Sequence, residues 1–100
     1  MSIVTNIILH FSIIEENSNT IDIINALLRK NNHGELGDGE LSNKGGKHLE
    51  SPIYIGAFNY LDVSALLDLI SAIKWTEPEN VQLFIQGQSD SKFMVFEPST

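Results

Sequence analysis

Two side chains with acid–base character lie close together in the sequence, His48 and Glu50. In an extended segment, alternate residues project to the same side, so the imidazole and the carboxylate would face the same way. Histidine titrates near neutral pH, and a nearby carboxylate can orient it as a general base. Tyr54 follows shortly after them. A small enzyme or ligand-binding site made of His48 and Glu50 beside Tyr54 is therefore one functional hypothesis.

The rest of the sequence gives this acid–base pair little support. General-base catalysis also needs a nucleophile or a cofactor, and no nucleophile elbow or phosphate-binding glycine motif selects one. The histidines at 10, 33 and 48 lack the spacing of metal ligands on one element, and the chain has no cysteine. We therefore predict no metal and no cofactor, and we favour a non-enzymatic role.

The charge balance limits the kinds of partner. The chain has 6 Lys and Arg against 13 Asp and Glu, a formal net charge of −7, and no basic stripe. A nucleic-acid backbone attracts a concentration of positive charge, so we predict no DNA or RNA partner. A basic protein partner is compatible with this charge. In size and charge the chain is similar to small acidic bacterial proteins that neutralise basic toxins, so an immunity-type inhibitor of a basic toxin or enzyme is the alternative.

The chain length and the amino-terminal segment limit the number of domains and the possible membrane segments. One hundred residues, 42% of them hydrophobic, suffice for one domain with a core but not for two. The apolar amino-terminal segment begins without Lys or Arg and has no small-residue cleavage site, and no apolar run approaches the ~20 residues of a membrane span. We expect a single domain over residues 1–100, in the cytoplasm and without membrane contact.

The strongest structural signal is a strand followed directly by a helix. Residues 52–58 are apolar on both alternating faces, which predicts a central strand. Asn59 is a good helix N-cap residue, and Asp62 follows at a capping-box position. From position 61 onward, polar residues recur at helical spacing along only one narrow side of the predicted helix. The pattern predicts a mostly covered helix, whose core residues would be Leu66, Leu69, Ile70 and Ile73.

Further elements flank this unit. Residues 3–14 alternate as a first strand, residues 20–30 have helical periodicity, and residues 81–86 and 92–97 form a hairpin about a glycine-containing turn. Residues 34–50 hold five of the seven glycines and few large apolar side chains. We predict a flexible flap there, with a short strand anchored by Leu36 and Leu41 that pairs with residues 52–58.

The resulting order β-α-β-β-α-β-β predicts an α+β fold, a ferredoxin-like two-layer sandwich with two helices on one face of a mostly antiparallel sheet of four to five strands. Two helices leave the second face open. That face would carry His10, Tyr54, Gln82, Phe84 and Gln86, an apolar and aromatic surface larger than a monomer usually exposes. We therefore expect a protein-interaction or regulatory domain that is a homodimer through this face, with another protein or a small hydrophobic ligand as other occupants.

Overall fold

The computed structural model describes residues 3–17, 19–31 and 33–98. Within these ranges the chain forms five strands and two α-helices, which follow each other as β1 (Val4–His10), α1 (Thr20–Lys30), β2 (Gly37–Asp38), β3 (Ile53–Asn59), α2 (Val63–Ala72), β4 (Gln82–Gln86) and β5 (Met94–Phe96). Short 3-10 helices cover Ile13–Asn17, Gly39–Ser42 and Pro78–Asn80. Within the described residues, no helix has both the length and the apolar character needed to cross a membrane.

The five strands form one antiparallel sheet in the order β2-β3-β1-β4-β5. Because β3 and β4 are both antiparallel to β1, they run parallel to each other, and α2 connects them across β1. In the same way α1 connects β1 to β2 across β3. Each connection is therefore a split β-α-β unit. The predicted α+β class, with an antiparallel sheet and two helices, is confirmed. The full ferredoxin-like topology, which also requires right-handed crossovers, stays a prediction.

A single core lies between the two helices and one side of the sheet. Alternate residues of the first strand segment, Ile7, Leu9 and Phe11, are at most 1% exposed, as side chains on one face of a strand should be. They pack in one cluster with the buried residues of both helices, as in a two-layer sandwich. Of the core residues predicted for α2, Leu66 and Ile70 are fully buried, whereas Leu69 and Ile73 are half-buried.

The start of α2 differs from the prediction. Asn59 is the last residue of β3, opposite Val4, and does not cap the helix. Tyr60 then turns the chain with a left-handed φ of 53°, and its backbone N–H donates to the carbonyl of Ile3 at 2.8 Å. The N-cap is Asp62, whose carboxylate accepts a hydrogen bond from the N–H of Ala65 at 3.0 Å. The additional pairing of β3 with β1 moves the helix start from Asn59 to Asp62.

The first strand ends earlier than its alternating pattern predicts. β1 stops at His10, and Ile13–Asn17 forms a 3-10 turn instead. Glu15 is only 3% exposed, although glutamate in a polar turn is usually exposed. Its Oε2 accepts a hydrogen bond of 2.8 Å from the backbone N–H of Glu77. This contact with the loop after α2 holds the turn against the domain, because a buried carboxylate needs hydrogen-bond donors.

The second strand is shorter than predicted and is anchored at one end only. β2 pairs Gly37 with Ile55 and Asp38 with Tyr54, as expected for a strand beside residues 52–58. Leu36 is buried, but Leu41 is 87% exposed and anchors nothing. The chain leaves the strand after Asp38 because that carboxylate accepts from the N–H of Glu40 at 2.8 Å, which starts the 3-10 helix.

Candidate functional site

Tyr54 lies on the helix-covered face of the sheet, so its predicted place on the open face is wrong. Directly opposite residues of antiparallel strands project to the same side, and Tyr54 lies opposite the fully buried Leu9. Its ring stacks on Phe11 with 5.6 Å between the ring centroids. Both alternating faces of the segment are apolar, so the sequence pattern did not distinguish them. Tyr54 therefore belongs to the core side of β3.

The open face, defined here as the face of the sheet away from the helices, brings together the other four predicted partner-binding residues. His10 lies opposite Gln82, and both are half-buried. Phe84 and Gln86 follow on the same side of β4. Twelve residues of four strands project from this face: Val4, Asn6, Ile8, His10, Ile53, Ile55, Ala57, Asn59, Gln82, Phe84, Gln86 and Val95.

A row of apolar side chains crosses the open face at its middle. Ile55 lies opposite Ile8, Ile8 lies opposite Phe84, and Phe84 lies opposite Val95. With strands about 4.8 Å apart, the row is roughly 14 Å long. Its ends are well exposed, with Ile55 at 43% and Val95 at 50%, and the two central residues are half-buried. The row depends on the register of three strand pairs, which the sequence pattern does not contain.

Uncharged polar groups flank this row. On one side, the Asn6 amide donates to Oε1 of Gln86 at 3.0 Å. On the other side, His10 lies between Ile53 and Gln82, and its buried Nδ1 has no hydrogen-bond partner among the described residues. None of the twelve open-face residues is Asp, Glu, Lys or Arg, although the chain has 6 basic and 13 acidic residues. The open face is thus free of formal charge when His10 is neutral.

His48 contacts Glu40, which the sequence analysis did not select. Its Nδ1 lies 2.9 Å from Oε1 of Glu40, so the carboxylate beside the imidazole is not that of Glu50. Glu40 also accepts hydrogen bonds from the N–H of Leu49 at 2.8 Å and from the Asn43 amide at 3.3 Å. These donors, the Leu49 N–H first and His48 next, lower the pKa of Glu40 below its ordinary value.

The loop after Gly39–Ser42 is therefore folded around one carboxylate. The Asn43 side chain adds two further bonds, donating to the carbonyl of Lys47 at 2.7 Å and accepting from the N–H of Gly45 at 2.9 Å. Asn turns of this kind are local and sequence-encoded. The contact of Glu40 with Leu49 spans nine positions, so it requires the loop to close first. The flexibility predicted for residues 34–50 stays a prediction.

Glu40 and His48 line a pocket of about 200 Å³ at the β2 side of the sheet. The other lining residues are Ile13, Asp38, Leu49, Ser51, Pro52 and Ile53. The imidazole is 97% exposed, so water screens its interaction with Glu40. This arrangement favours a loop-closing role for the pair over proton transfer in an enclosed site. In the described part of the chain, no three His, Asp or Glu side chains are grouped so that they could hold a metal ion.

Comparisons with protein-family models, with curated proteins and with solved structures found no match for this chain.

Proposed function

We propose that this protein is a small non-enzymatic interaction or regulatory domain that forms a two-fold homodimer through the open face of its sheet. The observation that carries the proposal is the apolar row Ile55, Ile8, Phe84 and Val95. The described residues place no helix over it. Apolar side chains aligned across four strands can be removed from water together, and the free energy of association increases with the apolar area that is buried.

The charge distribution supports a second copy as the occupant. Each chain has a net charge of −7, so two copies repel each other wherever their carboxylates meet. The open face avoids this repulsion because it has no charged side chain, and its burial therefore leaves no unpaired charge. The amides of Gln82 and Gln86 supply neutral donors and acceptors beside the apolar row, as polar groups do at the rim of an interface.

The size of the face indicates a weak, reversible dimer. Four strands about 4.8 Å apart and about 20 Å long offer on the order of 400 Å² per protomer. A two-fold contact would then bury on the order of 800 Å² in total, which is in the range of weak, transient interfaces. We therefore expect a dissociation constant in the micromolar range, of about 10 μM.

Light scattering coupled to size-exclusion chromatography, from about 1 to about 100 μM, tests the proposal across this affinity range. At the upper end we expect an average mass that approaches twice the 11.1 kDa of one chain. Phe84→Glu places a carboxylate in the centre of the row and should remove the open-face contact. Leu41→Glu makes the same kind of change at an 87% exposed residue outside the sheet, and it should leave the mass unchanged. A monomer at every concentration of the unmodified chain would exclude the homodimer.

A further inference from the structure

His10 is the one residue of the open face that can change its charge near neutral pH. The other eleven residues of that face have apolar or amide side chains, and histidine is the side chain that ordinarily titrates between about pH 5 and 8. His10 is half-buried between Ile53 of β3 and Gln82 of β4. Mild acid therefore adds charge to the open face at this position alone.

The proton that charges His10 must go to an atom without a hydrogen-bond partner. A neutral imidazole carries one proton, and a buried N–H group without an acceptor is rarer in folded proteins than a buried acceptor without a donor. The Nδ1 atom of His10 is buried and unpartnered among the described residues, so the neutral ring holds its proton on Nε2. Protonation then turns Nδ1 into a donor, and a buried donor without an acceptor is unfavourable.

The neighbouring strands place no charged side chain beside His10. Its direct neighbours are Ile53 and Gln82, which are both uncharged. Titratable groups lie farther away: beyond Ile53 are Asp38, Glu40 and His48, which line a pocket with it, and beyond Gln82 is Glu97, which follows β5. Glu97 is two strand spacings from His10, roughly 10 Å. A carboxylate at that distance does not accept a hydrogen bond from the ring.

The chain that continues from β1 also lacks a group that could pair with a charged His10. The titratable residue described there is Glu15 in the 3-10 helix Ile13–Asn17, and its carboxylate accepts from the backbone N–H of Glu77 at 2.8 Å. Within the described residues, the ion pairs are those of Arg29 with Glu35 and of His48 with Glu40. A protonated His10 therefore depends on water to stabilise its charge.

A second copy on the open face would remove this water without replacing it. The second copy presents the same twelve residues, and none of them is Asp or Glu. Whatever the angle between the two sheets, these residues supply no countercharge to His10. A charge that is buried without a partner opposes association strongly, and a two-fold dimer contains two such rings.

We infer that His10 is a pH switch of the homodimer: the neutral ring allows two open faces to meet, and the protonated ring keeps them apart. The inference rests on the proposed function, because it describes how that same face is regulated. Proton binding and association then oppose each other by the same factor in both directions. The overall charge of −7 predicts the opposite trend, because protonated histidines reduce the repulsion between copies. The direction of the pH dependence therefore distinguishes the two effects.

Light scattering at constant ionic strength, at about pH 7.5 and about pH 5.5, tests the inference, because imidazoles gain protons in this window while ordinary carboxylates stay ionised. Two rings per dimer must lose their protons, so we expect the dissociation constant to be at least about tenfold larger at the lower pH. An unchanged constant, or tighter association in acid, would overturn the switch and leave the dimer established. A chain that is monomeric at both pH values would overturn the proposed function, and the switch with it.

Two variants assign the pH dependence to one ring. His10→Gln cannot gain a proton, and its amide resembles those of Gln82 and Gln86 on the same face. It should dimerise equally well at both pH values. His48→Gln makes the same change at an imidazole that is 97% exposed and outside the sheet, and it should keep the full pH dependence. The reverse result, with the dependence kept in His10→Gln or lost in His48→Gln, would overturn the inference.

A measurement on the unmodified chain gives the reciprocal result and does not require a variant to fold. Nuclear magnetic resonance follows the protonation of each of the three histidine rings separately. We expect the midpoint for His10 to move to lower pH when the chain concentration is raised from about 20 μM to about 1 mM, because the dimer excludes the proton. The midpoints for His33 and His48, which are not open-face residues, should stay unchanged. A constant His10 midpoint in a chain that dimerises over this range would overturn the switch.

Discussion

The phenyl ring of Phe58 lies over Gly56 on the helix-covered side of β3. A methyl group at position 56 would lie 2.5 Å from Cζ of Phe58 and 3.2 Å from Cδ2 of Leu36. Phe58 is 4% exposed, so its ring is enclosed in the core. The glycine is required at this position because the aromatic ring occupies the space that a side chain would need.

Gly56→Ala should therefore destabilise the domain by about 1–3 kcal/mol, because the ring must move within a packed core. Chemical denaturation measures this change in the free energy of unfolding. Gly46→Ala is the matched control, since a Cβ at position 46 has nothing within 4 Å. The double variant Gly56→Ala, Phe58→Leu should lose less than the sum of the two single changes, because the smaller side chain relieves the clash. Additive losses would contradict the contact.

Ile70→Asp should cost several kcal/mol, on the order of 4, because it places an unpaired carboxylate at a fully buried position of α2. Such a loss unfolds much of a domain of ordinary stability. Ser64→Asp introduces the same side chain at an exposed position in the first turn of the same helix, where a negative charge is favourable. Thermal unfolding should separate the two variants clearly. An unchanged melting temperature for Ile70→Asp would contradict the packing of α2.

Glu40→Ala should open the loop between Asn43 and Leu49, because three donors lose their shared acceptor. Amide hydrogen exchange at Leu49 reports this directly and should become faster in the variant. Glu50→Ala removes an exposed carboxylate of the same loop and should leave the exchange of Leu49 unchanged. Faster exchange of Leu49 in Glu50→Ala, with no change in Glu40→Ala, would indicate that Glu50 is the acid beside His48.

The same loop should respond to acid. The hydrogen bond from Leu49 and the contact with His48 lower the pKa of Glu40 below its ordinary value of 4.5. A carboxylate with a lowered pKa stabilises the folded loop fully above the ordinary pKa, and it loses this contribution as the pH falls through the lowered value. Protection of the Leu49 amide, corrected for intrinsic exchange, should therefore decrease below about pH 4.5. In Glu40→Gln this decrease should be absent.

Residues 35–48 should exchange their amide hydrogens faster than β1 and α2, because the glycines raise the entropy lost on ordering and few apolar side chains offset it. The hydrogen bond from the Leu49 amide to Glu40 limits this mobility at the carboxyl end of the segment. Strong protection throughout Gly37 to Gly46 would show that the flap is as rigid as the sheet.

Glu15→Ala should cost about 1–3 kcal/mol, because it removes the acceptor of the Glu77 N–H from a buried position. Glu15→Gln retains a side-chain oxygen of similar reach and should cost less. Urea denaturation of the two variants measures the difference. Equal losses would show that the charge, and not the hydrogen bond, is what the fold requires.

The sequence pattern predicted what depends on local periodicity. The narrow polar stripe of α2 assigned Leu66 and Ile70 to the core, and both are fully buried. The alternation of residues 3–14 and 81–86 predicted strands, and β1 and β4 lie within these ranges. The orientation of β3 was not predictable in this way, because both of its faces are apolar and only its pairing with β1 distinguishes them. Tyr54 was misplaced for that reason.

The candidate site was harder to predict than the fold. His10, Gln82, Phe84 and Gln86 share the open face as predicted, because their strands alternate regularly. The apolar row and the Glu40 contact escaped prediction because both join residues that are distant in sequence. A strand register or a closed loop determines such contacts, and neither leaves a periodic signal.

The central position of β1 has a consequence for how the chain folds. β1 comes first among the strands, yet both of its neighbours in the sheet come from residues 53–59 and 82–86. Asn6 and Gln86 are 80 positions apart, and their side chains are hydrogen-bonded. Such a high contact order slows folding. On the ribosome, β1 stays without its β4 partner until Gln86 has been made, so one edge of this central strand is unpaired until synthesis is nearly at the end of β4.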